Sequence, residues 1–112
     1  MVTPPYVPDR RDVVWIDLDP TLGREQAKRR PAIVISPRSY NQKTNLMLVC
    51  TITSEQKDYP FEVLLSSEKV AGVVLVDQVR ALDWKVRETR FIVKAKPKEF
   101  SEIQDKLKLL ID

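Results

Sequence analysis

The chain has 112 residues, 43% hydrophobic and 31% charged, with a formal charge of +3 and a pI near 9.1. Its single cysteine rules out an internal disulfide, and the lack of any histidine removes the usual zinc and copper ligand sets and every mechanism built on imidazole. One domain over residues 1–112 is expected, burying roughly two-thirds of its unfolded surface, and no stretch approaches the roughly 18 apolar residues of a membrane span, so a cytoplasmic protein is expected.

Asp12 to Asp19 alternates, with Val14, Ile16 and Leu18 directed one way and Val13, Trp15, Asp17 and Asp19 the other; this predicts a half-buried strand. Pro20 and Gly23 mark a turn, and a basic loop runs to Pro31, whose ring forces Arg30 into an extended conformation. That run, GREQAKRRP, gathers Arg24, Lys28, Arg29, Arg30 and one carboxylate, Glu25, in a connection between strands, where binding groups concentrate. Ala32 to Ser36 is the expected second strand. Pro37 to Asn45, rich in Ser, Asn, Thr and Lys and without apolar period, reads as a connecting loop. In the third strand, Leu46 to Thr53, the even positions Leu46, Leu48, Cys50 and Ile52 form one apolar face, which makes Cys50 a core residue, and Thr51 and Thr53 lie on the other.

Pro60 introduces a strand over Phe61 to Leu65. Val70 to Leu82 is the longest β-branched run, broken in polarity at Asp77, Gln78 and Arg80, and Arg90 to Lys96 fits one further strand. From Pro97 the period changes: Phe100, Ile103, Leu107 and Leu110 recur at three- and four-residue spacing, and Glu102 precedes Lys106 by four, which predicts an amphipathic helix. The expected fold is mainly β, a small antiparallel barrel closed or covered by this C-terminal helix.

Without histidine, any general acid or base must come from Glu, Asp, Lys, Tyr, Cys or water. If the barrel forms, three elements converge: the carboxylates of Asp17 and Asp19, the Glu25 to Arg30 loop, and the hydroxyls of Thr53 and Ser54. Together they offer a base, a guanidinium that forks onto phosphate oxygens, and hydroxyl donors, a set suited to a phosphodiester. The competing account is a solvated charged surface with weak ion pairs. Asp17 and Asp19 as magnesium ligands are a weak signal at a spacing of two.

The segment DVVWIDLDPTLGREQAKRRPAIVISPRSYN, Asp12 to Asn41, resembles the N-terminal signature of the MazF/PemK toxin endoribonucleases. The resemblance continues through TITSEQKDYPFEV, GVVLVDQVRALDW and the terminal helix, so it covers nearly the whole chain. It implies an SH3-like barrel, a homodimer, metal-independent cleavage of single-stranded mRNA with no cofactor, and neutralisation by a cognate acidic antitoxin. It also implies catalytic roles for Glu25, Arg30 and Thr53: Glu25 as base toward an RNA 2′-hydroxyl, Arg30 stabilising charge on the phosphoryl oxygens, Thr53 orienting one of those oxygens. Arg29 stands where some relatives have histidine, so no imidazole role carries over.

For RNA binding the candidates are Asp17, Lys28, Arg29, Lys57 and Gln78; Lys57 would hold the backbone, and Gln78 and Asp17 would read base edges. Local ion pairs or buried hydrogen bonds are the alternative for each. Trp15 and Trp84 offer stacking planes, with packing as the favoured role. The rival function is a noncatalytic toxin that poisons a topoisomerase, as CcdB-like proteins of similar fold class do.

Overall fold

The computed structural model describes residues 6–17 and 29–111. Its elements run β1 (Asp12–Asp17), β2 (Arg29–Val34), α1 (Arg38–Thr44), β3 (Leu46–Thr53), β4 (Glu62–Ser66), β5 (Ala71–Asp83), β6 (Arg90–Lys94) and α2 (Pro97–Ile111). The six strands form one sheet in the order β4-β5-β3-β2-β1-β6, every neighbouring pair antiparallel, curled into a half-barrel as the alternation suggested.

Both faces of this sheet are buried. On one, Val13, Ile33, Cys50, Ile52, Val63, Leu65, Val74 and Val76 pack beneath Phe100 and Ile103 of α2. On the other, Val14, Ile16, Ala32, Val34, Met47, Val49, Leu82 and Trp84 form a second cluster, with Tyr6 and Val7 against it. The expectation of half-buried strands is therefore corrected: in β1 Val13 is as buried as Val14 and Ile16, and only Trp15, 37% exposed, looks outward. In β3 the odd residues Met47 and Val49 are buried alongside Cys50 and Ile52, whereas Leu46 lies at the surface. Period-two reasoning assigns one apolar face per strand; a strand covered on both sides has two.

β5 serves both clusters through an irregularity. Cys50 pairs with Val79 and Ile52 with Val74, so residues 75–78 of β5 stand opposite the single residue Thr51. Three extra residues, an odd number, carry even positions from one face to the other. Val74 and Val76 accordingly join the first cluster, and Leu82 and Trp84 the second. The polarity break at Asp77, Gln78 and Arg80 coincides with this bulge and the resumption of pairing after it.

The segment 37–45, expected to be a loop, contains α1. No apolar stripe specifies this helix; tertiary hydrogen bonds do. Asp9 accepts the Arg38 backbone N–H at 2.9 Å and so caps the helix from a distant segment. Asn41 is fully buried: its amide donates to the Pro8 and Ser36 carbonyls at 2.8 and 3.1 Å, and its Oδ1 accepts from the Ser36 hydroxyl. Its carbonyl accepts the Trp84 indole N–H at 2.8 Å, which makes Trp84 a core residue. Asn45 ends the helix in the left-handed region at φ 60°.

The N-terminal segment is fastened by Asp12, which accepts hydrogen bonds from Tyr6, the Asp9 N–H and Lys94. Burial, reinforced by that carboxylate, holds the Tyr6 phenol far above its ordinary pKa. In α2, Phe100 and Ile103 are buried and Leu107 packs beside them, but Leu110 is surface-exposed, so the apolar stripe is one turn shorter than its spacing suggested. Glu102 pairs with Lys106 at 3.4 Å, as the four-residue spacing implied.

Candidate functional site

The alternation that builds the second apolar cluster continues past its edge into polar residues. On β2, Val34 and Ala32 are core, and Arg30 is the next residue on that face. On β3, Met47 and Val49 are followed by Thr51 and Thr53; on β5, Leu82 is preceded by Arg80. Ala32 pairs with Thr51, and extending that register two residues brings Arg30 abreast of Thr53. The core and the candidate site are thus one sheet face, apolar in the middle and cationic and hydroxylic at its margin.

That margin is concave. Arg30, Thr51, Ile52, Thr53, Gln78 and Arg80 line a cavity of about 300 Å³. Thr53 and Gln78 also belong to an adjoining hollow of about 350 Å³, walled by Lys57, Tyr59, Glu62 and Asp77. The two share a wall and read as one groove. The structure therefore brings together Arg30, Thr53, Lys57 and Gln78 of the sequence-expected set. Glu25 and Lys28, with Arg24 and Asp19, lie outside the described residues.

The other two expected residues are held nearby. The Asp17 carboxylate is 3.6 Å from Arg29 Nε, and the Asp17 backbone accepts from Arg87 Nη1 at 3.0 Å and donates to the Arg87 carbonyl at 3.0 Å. Asp17 is buried at the end of β1, where that ion pair holds its carboxylate. Arg29, paired with it, remains substantially exposed.

One carboxylate holds the segment after β3 at the wall of the groove. Glu62 accepts the backbone N–H groups of Lys57 and Tyr59 at 3.2 and 3.3 Å, which leaves the Lys57 side chain directed at solvent without a partner among the described residues. Tyr59 donates its hydroxyl to Asp77 at 2.9 Å. That hydrogen bond, and the negative charge behind it, raise the phenol pKa above its ordinary value. Tyr59, Asp77, Glu62 and Arg80 were not singled out in the sequence for this site. The signal was the interrupted polarity of Val70 to Leu82, but its meaning depends on the bulge.

Gly72 fixes how closely the start of β5 approaches the end of β3, where Thr53 stands. A Cβ there would stand 2.6 Å from the Thr53 carbonyl oxygen and 3.2 Å from Ile52 Cγ2. The strand end carrying Thr53 would have to move, since backbone cannot yield as a flexible side chain does. Gly72→Ala is expected to lower unfolding free energy by roughly 1–3 kcal/mol in urea titrations; an unchanged midpoint would mean this approach has slack.

A sequence model of the PemK-like, MazF-like toxins of type II toxin-antitoxin systems matches residues 9–111. The chain is 45% identical over 106 residues to the endoribonuclease toxin MazF of Escherichia coli K12, covering 95% of this chain and 96% of that protein. It is 34% identical over 84 residues to the endoribonuclease PemK of Escherichia coli, covering 70% and 63%. The crystal structure of MazE-MazF (Form-II) from Deinococcus radiodurans superposes with a TM-score of 0.86 at 41% identity, covering 96% of this chain and 97% of that one. With a family match over nearly all its residues and such identity to full-length relatives, this chain belongs to the PemK-like, MazF-like toxins of type II toxin-antitoxin systems.

Proposed function

We propose that this chain is a metal-independent, sequence-selective endoribonuclease that cuts single-stranded mRNA, working in the cytoplasm as a single-domain protomer of a homodimer. The observation that carries the reading is the shared groove of Arg30 and Thr53, in a family whose relatives include endoribonucleases. Neither the Arg30 side chain nor that of Lys57 has a hydrogen-bond or ion-pair partner among the described residues, so both are available to phosphate. The same observations favour RNA cleavage over topoisomerase poisoning, which needs no such set.

In this reading the 2′-hydroxyl of the ribose 5′ to the cut attacks the adjacent phosphorus. Its proton passes to Glu25, the O2′–P bond forms, the P–O5′ bond breaks, and the departing 5′ oxygen takes a proton from water. The products are a 2′,3′-cyclic phosphate and a 5′-hydroxyl. Arg30 supplies a planar fork of donors to the phosphoryl oxygens as charge grows on them; with a pKa above about 12 it is a poor proton donor and acts electrostatically. The Thr53 hydroxyl accepts the Glu55 N–H at 3.2 Å, which leaves its own hydrogen free to donate to a phosphate oxygen. The protein partner is an acidic antitoxin whose disordered segment folds across this groove, with its carboxylates toward Arg30 and Arg80; MazF of Deinococcus radiodurans has been crystallised with MazE.

The nucleophile provides the test. A substrate with 2′-deoxyribose only at the position 5′ to the cut is expected to resist cleavage entirely while binding within a few-fold, and excess EDTA should leave the rate on normal RNA unchanged. Cutting of the deoxy substrate at the same bond would assign the attack to water and remove Glu25 from its role.

A further inference from the structure

Among the described arginines, most are engaged. Arg10 donates to the Ile35 carbonyl, Arg11 to that of Ala95 and Arg87 to that of Asp17, while Arg29 and Arg38 pair with Asp17 and Asp9. Arg30, Arg80 and Arg90 have no hydrogen-bond or ion-pair partner among the described residues, and two of these three, Arg30 and Arg80, line the same cavity. Two unpaired guanidiniums on one concave wall make a local positive potential that favours an extended anion lying along them. Arg90 sits opposite Trp15 on β6, away from the groove.

The register places the two groove arginines over different rungs. Arg30 is abreast of Thr53, and Arg80 pairs with Val49, four residues back along β3. Four residues of strand rise and two interstrand spacings put their Cα atoms about 16 Å apart. Converging on one phosphate would require both side chains to extend fully toward each other. Standing side by side on the wall, they address separate phosphates of one strand.

We propose that Arg80 is a second substrate-binding arginine, which holds an RNA phosphate flanking the scissile one and so sets where the strand lies across the groove. This rests on the RNA-cleaving reading above. Arg80 therefore contributes to binding in the ground and transition states alike, whereas Arg30 acts on the reacting phosphate. A point charge serves a flanking phosphate, so lysine substitutes for Arg80 far better than for Arg30.

The test uses the purified full chain and an RNA oligonucleotide with one cut site mapped with the wild type, made with 2′-deoxyribose at that position for binding. Arg80→Ala is expected to weaken binding about tenfold and reduce the slope of log K against log salt by about 0.7. On the cleavable RNA it should raise KM by a similar factor with kcat within about twofold, without changing the melting temperature. Arg80→Lys should recover most of the affinity. Arg90→Ala, which removes the same charge on the other side of the sheet, should leave binding within twofold. Normal RNA affinity in Arg80→Ala overturns the proposal. So does an equal loss in Arg90→Ala, a loss confined to kcat, or a loss seen only with an acidic polyglutamate peptide, which would mark a protein contact. A wild-type chain that neither binds nor cuts RNA overturns the functional reading and this inference together.

Discussion

Replacing Arg30 by alanine is expected to slow single-turnover cleavage about 100-fold, the usual cost of removing one preorganised donor from a developing oxyanion. Arg30→Lys should still lose at least about tenfold, because lysine restores the charge but not the two parallel donors that match a phosphoryl group. Both variants should fold normally: the guanidinium has no partner among the described residues, and the residue's contribution to the sheet is its backbone pairing with Ile16. Melting curves and denaturant midpoints therefore serve as the control. Near-wild-type turnover by Arg30→Lys would reduce Arg30 to a general cation and shift the burden of transition-state stabilisation elsewhere in the groove.

The second large effect concerns stability. Asn41→Ala should destabilise the fold by about 3 kcal/mol and lower Tm by roughly 10–20 °C. The variant leaves the Pro8 and Ser36 carbonyls and one hydrogen-bonding direction of the Ser36 hydroxyl without these partners at a buried site. Ser36 in turn accepts the Leu48 N–H at 2.9 Å, so the damage reaches β3, the strand that carries Thr53. Asn41→Asp should do no better, since a carboxylate cannot donate to either carbonyl and burying its charge is costly. A Tm shift below about 2 °C would mean that water replaces the amide, and would remove Asn41 from its place as the hub of this corner.

These two residues mark what the sequence makes legible. Strand positions, the terminal helix and its buried Phe100 and Ile103 follow from apolar periodicity, because those elements are specified by what they bury. α1 follows from no periodicity: its residues are turn formers, and it is a helix because Asp9 and Asn41 tie it to segments remote in sequence. The candidate site divides the same way. Arg30 and Thr53 could be picked out because they stand in a family motif, and Lys57 and Gln78 because they flank it. Arg80, Tyr59 and Asp77 depend on the bulge in β5, where four residues oppose one, and no local pattern announces an inserted register. Asp17 is open in the sequence to base reading or to a local ion pair; only the structure shows Arg29 beside its carboxylate and Arg87 on its backbone at the end of β1.

The order in which the sheet is assembled bears on when such a chain becomes harmful to the cell that makes it. Residues 29–83 contain every described residue of the groove, yet β3 and β5 turn Cys50, Ile52, Val74 and Val76 toward a cluster whose lid, Phe100 and Ile103, is translated afterwards. Arg11 likewise waits for Ala95, 84 residues later, before its guanidinium finds that carbonyl. A ribosome-bound fragment thus holds the groove residues without the packing that fixes their spacing, and non-local pairing of this kind forms slowly. Synthesis itself imposes a delay between making the active residues and arming them, an interval in which a partner already present in the cell can reach the chain first.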